Sequence, residues 1–148
     1  MPTTTTREKV LLTVMGLTTL GFGSIYFALP LRMAAESGLT ITRAAAAAEL
    51  RGYYGGLQVG MGVLFLSGLR WPAIAQAGLW AAAILFAGNG LGRLFGIALA
   101  GAVDAFNVSG VVFELGFSAA AILLLRARAA ASADAAQPSH FAVKERPE

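Results

Sequence analysis

Residues 10–29 read VLLTVMGLTTLGFGSIYFAL, twenty consecutive positions without a charge. A helix of about 20 apolar residues crosses a hydrocarbon core roughly 30 Å thick. Arg7 and Lys9 stand just before this run and Pro30 just after it. A cleaved signal peptide is the competing reading, because the preceding segment is basic and Ala34 and Ala35 follow. Signal-peptide cores are only about 7–15 residues long. The run is therefore read as a retained helix over 10–29, after a short polar N-terminus over 1–9.

Outward from that run, the rest of the chain has the same character. Hydrophobic residues make up 57% and charged residues 13% of the 148 positions, and the mean hydropathy is +0.69. Soluble domains carry about 25% charged residues. The pattern predicts an all-α, integral membrane four-helix bundle, with further spans over 43–69, 73–100 and 108–125. In the second span the run Ala44 to Ala48 favours helix, and Thr40 or Thr42 is a candidate cap. Residues 31–41 read as a loop with a short interfacial turn. Arg70, Trp71 and Pro72 form a tight connection, since proline suits the first helical turn and tryptophan the interface. Gly88, Gly90 and Gly92 are expected to bend the third span. Asp104 or Asn107 is expected to cap the fourth. The segment 129–148, rich in Ala, Ser and Pro, reads as a disordered tail.

Orientation follows from the basic residues. Arg7, Lys9, Arg70, Arg126, Arg128, Lys144 and Arg146 fall on one side, and Arg32, Arg43, Arg51 and Arg93 on the other. The positive-inside rule places the first set, and both termini, in the cytoplasm. The same distribution explains the net charge of +3 without a nucleic-acid partner.

Polar residues inside the apolar runs mark the candidate site. Counted from Arg70 and Pro72 at 1.5 Å per residue, Gln58 lies about 18 Å out, Tyr54 about 24 Å and Arg51 about 28 Å. On the third span Asn89 lies about 25 Å and Arg93 about 31 Å out, and on the fourth Glu114 lies about 18 Å from Arg126. Arg51, Tyr54 and Gln58 share a helix side by spacing, as do Asn89 and Arg93. A carboxylate at a span's centre costs roughly 2.5–3.5 kcal/mol on insertion scales. Glu114 is therefore expected to face inward among Gly110, Ser118 and Ala121 and to pair with Arg93 or Arg51. Such a pair either fixes helix register or forms a ligand or proton site. Glu49 and Arg51, and likewise Tyr53 and Tyr54, also have plainer readings as interfacial residues, and Asp104 as a cap.

Two glycine ridges accompany these groups. Gly52, Gly56 and Gly60 recur every four residues, as do Gly88, Gly92 and Gly96. Small-xxx-small ridges let helix backbones approach closely. They are read as seams within one chain, in preference to a homodimer contact.

The runs Glu49-Leu50-Arg51-Gly52-Tyr53-Tyr54-Gly55-Gly56-Leu57-Gln58-Val59-Gly60 and Gly88-Asn89-Gly90-Leu91-Gly92-Arg93-Leu94 carry a resemblance. They are similar to the bacterial domain-of-unknown-function family 4345, over roughly residues 10–125. The resemblance implies four spans in a bacterial cytoplasmic (inner) membrane and carries no activity. A weaker similarity to other small four-helix families, such as the DoxX-like proteins, decides nothing.

Three functions are weighed. The first is a binding or accessory protein whose outer polar cluster holds a small amphipathic or anionic ligand, a lipid head group or a partner subunit. The second is a small dimeric transporter using Glu114. The third, an intramembrane enzyme, ranks last. The chain has no cysteine, and its one histidine, His140, lies in the polar tail. No catalytic constellation, metal site or cofactor is expected.

Overall fold

The structure is a computed structural model, and it describes residues 3–101 and 103–136. Every regular element among these residues is helical. In chain order they are α1 (Thr6–Ala28), α2 (Pro30–Glu36), α3 (Ala44–Leu50), a π-helical segment (Arg51–Gly56), α4 (Leu57–Ser67), α5 (Pro72–Ala100) and α6 (Ala105–Ala136). Three stretches are long and apolar enough to cross a membrane: Thr6–Ala28, Pro72–Ala100 and Ala105–Ala135. The expected second span is continuous helical backbone from α3 to α4, but the π segment divides it into shorter pieces.

Local chemistry explains where the helices start and stop, and corrects several expected bounds. α1 begins inside the segment expected to be a polar N-terminus. The Thr5 hydroxyl accepts from the Glu8 backbone N–H, and the Glu8 carboxylate accepts from the Thr5 N–H. This reciprocal box satisfies two donors that a helix N-terminus leaves orphaned. The expected loop over 31–41 contains α2, which opens on Pro30 and is closed by Gly38 at φ +77°. Neither Thr40 nor Thr42 caps α3; Arg43 precedes it without a side-chain cap. Trp71 is extended and Pro72 starts α5, which runs unbroken through Gly88, Gly90 and Gly92. Gly101, at φ +64°, ends it in the left-handed conformation that glycine adopts readily. Asp104 caps α6 by accepting from the Asn107 N–H. α6 then continues to Ala136, so residues 129–136 of the expected disordered tail are helical. The rest of that tail, 137–148, lies outside the described residues.

Two antiparallel pairs, α1 with α4 and α5 with α6, make up most of the packing. A core of Leu12, Met15, Met61, Phe65, Ala75, Leu79, Ala82, Ala83, Phe86 and Ala121 joins them. Phe65, Phe86, Phe113 and Phe117 extend through it as a chain of tilted and edge-on rings, the last pair 4.4 Å apart. A second small core of Tyr26, Ala34 and Leu50 holds α2 against α1 and α3. The outer faces stay apolar, with Val10, Leu17, Ile84, Leu91, Val112 and Leu123 all more than half exposed.

The seam between α1 and α4 is built from glycine, but not from the expected ridges. A Cβ at Gly16 would lie 2.7 Å from Leu66 Cγ, and one at Gly62 would lie 2.9 Å from Gly16 O. A Cβ at Gly23 would meet Gly55 O at 2.9 Å, and one at Gly55 would meet the Phe27 backbone at 3.0 Å. Gly16 thus opposes Gly62 and Gly23 opposes Gly55. By contrast, a Cβ at Gly52, Gly60, Gly88, Gly92 or Gly96 would meet nothing within 4 Å, and at Gly56 only Arg51 O at 3.5 Å. The expected intrachain ridges are therefore outward-facing. The buried period is seven residues, which returns to one face after two turns; the four-residue repeats lie on other faces.

Candidate functional site

The α5–α6 turn brings Arg93 and Glu114 to one level. Arg93 lies eight residues before Gly101 and Glu114 nine after Ala105, about 12 and 14 Å along their helices. The pairing with Arg93 sets the level of Glu114 directly, and α6 runs on past Arg126 to Ala136. The inward stripe of α6 is Gly110, Glu114, Ser118 and Ala121, of which the last three are buried. On α5, Phe86 and Gly90 are buried and lead to Arg93.

Arg93 and Glu114 form a two-pronged ion pair. Nε donates to Oε2 at 3.1 Å and Nη2 donates to Oε1 at 2.9 Å. Parallel donation of this kind is among the stronger charge-assisted contacts. The guanidinium lies across Gly110, where a Cβ would come within 2.7 Å of Arg93 Nε. Nη1 donates to Asn107 Oδ1 at 3.4 Å, and the Phe106 ring stands 5.8 Å from the guanidinium carbon. The Glu114 side chain is 11% exposed and that of Arg93 30%. Asn107 in turn donates through Nδ2 to Asp104. Its backbone and side-chain N–H groups, in that order, hold the Asp104 carboxyl below the ordinary carboxylate range, and Arg93 adds to the effect.

The remaining sequence candidates divide. Arg51 is not the partner of Glu114; its Nε donates to Phe27 O at 3.1 Å, near the end of α1. Tyr54 stacks on Tyr26, with ring centroids 5.0 Å apart. Gln58 packs its Cβ over Gly23 and makes no side-chain hydrogen bond with a described residue. Asn89 does not join the cluster. It precedes Gly90, the position that meets α6, and so falls about 100° around the helix onto the exposed face.

Sequence reasoning does not anticipate Tyr26, the bond made by the inward-facing Ser118, or the pairing of Glu8 with Arg128. Tyr26 is buried at 3% exposure, and its hydroxyl lies 3.2 Å from that of Ser37. Ser118 donates to Ala83 O at 2.8 Å, tying α6 to α5 below the ion pair. At the opposite end of the molecule, Arg128 Nε lies 3.5 Å from Glu8 Oε1 with Glu8 2% exposed, a second buried ion pair. The spacing Thr5-x-x-Glu8 was a visible signal for the cap, but no local pattern links Glu8 to Arg128. Among the described residues no group of His, Cys, Asp and Glu is arranged to hold a metal ion.

Fold and site together define a small chain whose regular elements, among the described residues, are all helical, with three helices apolar and long enough for a membrane and a part-buried charged fork between two of them. The chain belongs to the family described as Domain of unknown function (DUF4345), whose sequence model matches residues 8–125. That match includes Arg93 and Glu114. Comparison with curated proteins finds no match, and neither does comparison with solved structures.

Proposed function

We propose that the protein crosses a bacterial cytoplasmic membrane four times with both termini inside, and that its outer polar layer binds the head of a small amphipathic molecule. Three membrane-length helices support the spans. The fourth crossing is the rod from Ala44 to Ser67, about 36 Å long at 1.5 Å per residue. The excess of basic residues at the end bearing Arg7, Lys9, Arg70, Arg126 and Arg128 supports the orientation. A reporter on the C-terminus that is active outside the cell would overturn it.

The observation that carries the binding reading is the Arg93 fork. A guanidinium has five N–H donors. Glu114 takes two and Asn107 one, which leaves two without a partner among the described residues on a side chain that is still 30% exposed. Intramembrane charges of this kind are functional candidates by default. Glu114 already balances the charge of Arg93, so the fork suits a head group rich in acceptor oxygens. Arg51 makes no ion pair with a described residue and, at a similar depth by residue count, would supply net positive charge for an anionic part of that head group.

The test is mass spectrometry of molecules that co-purify in mild detergent, comparing the parent with Arg93→Lys and Arg93→Ala. Loss of a bound species in both variants is expected. An unchanged profile with normal thermal stability removes the reading. A transporter coupled through Glu114 is the weaker alternative, because both of its oxygens are engaged by Arg93. Full vesicle transport by Glu114→Gln would exclude that coupling.

A further inference from the structure

A second site lies on the outer face of the rod, away from the Arg93 fork. Ala48, Glu49, Gly52, Tyr53 and Leu57 line an open groove of about 480 Å³. Gly52 leaves it open, since a Cβ there would meet nothing within 4 Å. Adjacent tyrosines separate at this point: Tyr54 stacks inward on Tyr26, while Tyr53 is left 70% exposed. Glu49 makes neither an ion pair nor a hydrogen bond with any described residue. An unpaired carboxylate beside a free aromatic face is the chemistry that attracts an organic ammonium ion. Leu57, at the far end, is 54% exposed and apolar.

We propose that this groove holds a phospholipid with an ammonium head group. Its cation sits between Glu49 and the Tyr53 ring, and its acyl chain runs past Leu57. The placement rests on the four-span reading. Counted from Arg70, Glu49 then lies about 31 Å out and Leu57 about 20 Å. The carboxylate is at head-group level and the leucine is in hydrocarbon. Polarity along the groove therefore follows polarity along the lipid, and the negative charge of Glu49 disfavours an anionic head.

Native mass spectrometry of the detergent-purified protein, given equal amounts of phosphatidylethanolamine and phosphatidylglycerol, tests this directly. The parent protein is expected to retain the ethanolamine lipid preferentially. Glu49→Gln and Tyr53→Leu are each expected to lower that preference roughly two- to five-fold, the size of one exposed ion pair or cation–π contact. Gly52→Leu fills the groove without meeting a neighbour and is expected to abolish it. Arg93→Lys, at the other site, leaves it intact. Equal retention of both lipids by the parent, or an unaltered ratio in all three groove variants, overturns the proposal. Recovery of the protein in the soluble fraction without detergent overturns the membrane reading itself. A detergent-dependent protein with no preference overturns only the groove.

Discussion

Gly62→Ala, compared with Gly60→Ala, tests which glycines hold α1 and α4 together. A Cβ at Gly62 would stand 2.8 Å from both Leu20 Cβ and Leu20 N, and 2.9 Å from Gly16 O. Two of those three atoms are backbone, so no side-chain rotation relieves the contact. The helices would have to part by about 0.6 Å to restore ordinary van der Waals separation, and a radial gap of roughly 0.5–1 Å forfeits a quarter to a half of each neighbouring contact's well. The other atoms along the seam, at Gly16, Gly23 and Gly55, share that loss. Overpacking of this kind costs about 1–3 kcal/mol. Gly60 has nothing within 4 Å of a Cβ. Alanine there is expected to be neutral, or to gain up to about 1 kcal/mol from helix propensity. The assay is reversible unfolding in mixed micelles, following helical circular dichroism against denaturing detergent. Equal destabilisation by both variants, or a silent Gly62→Ala with a damaging Gly60→Ala, would refute the assigned seam.

Other consequences can be measured in the same system. Breaking one side of a buried pair costs about 3–5 kcal/mol, and the partial exposure of Arg93 lowers its share; Arg93→Ala should therefore destabilise more than Arg93→Ala combined with Glu114→Ala, and strict additivity in a double-mutant cycle would argue against direct pairing. Asp104 titrates below its ordinary value because Asn107 donates to its ionised form, so its stabilisation is present above the ordinary carboxylate pKa and is lost as pH falls through the lowered value. Thermal stability scanned from about pH 5 to about pH 2 should fall less steeply for Asp104→Asn than for the parent, and identical acid limbs would remove that role. Glu8→Gln keeps a capping side chain but removes the charge that faces Arg128. Glu8→Ala should be less stable than Glu8→Gln by about 0.5–2 kcal/mol, the worth of a cap, and equal stability would show the box to be idle.

Much of this architecture was legible because uncharged runs and terminators are local signals. Pro72 and Gly101 bound α5 through backbone conformation alone. The Arg93–Glu114 pair was legible for a different reason. A carboxylate in an apolar helix needs a counterion, and only two arginines lay within plausible reach. Features that depend on register between distant segments were not legible. The four-residue glycine repeats are conspicuous in the sequence, whereas the working spacing, Gly16 to Gly23 against Gly55 to Gly62, emerges only when two helices are set side by side. Asn89 shares a helix side with Arg93 by spacing, but that does not bring a short side chain to where a long one reaches. The pairing of Arg128 with Glu8 has no local signal, because the two lie at opposite ends of the chain.

The two ion pairs bear on how a loosely joined pair of helical hairpins keeps one arrangement. Glu114 and Arg128 are fourteen residues apart on α6, about 21 Å along the axis and nearly on one face. Glu114 fixes α6 to α5 at one end, and Arg128 fixes it to α1 at the other. A single pair would still let α6 roll or tilt about the contact. Two pairs at that separation, made to different helices, fix roll and tilt together and set the α5–α6 hairpin against α1. Apolar surfaces alone specify this poorly in lipid, because the hydrocarbon competes equally for every helix face. Glu8→Gln should therefore loosen the α1–α6 contact while leaving the Arg93 fork formed. Cysteines introduced in α1 and α6 near Glu8 and Arg128 should then cross-link less efficiently, with cross-linking across the α5–α6 hairpin unchanged. Equal loss at both places would mean that the inner pair stabilises the whole chain without selecting an arrangement.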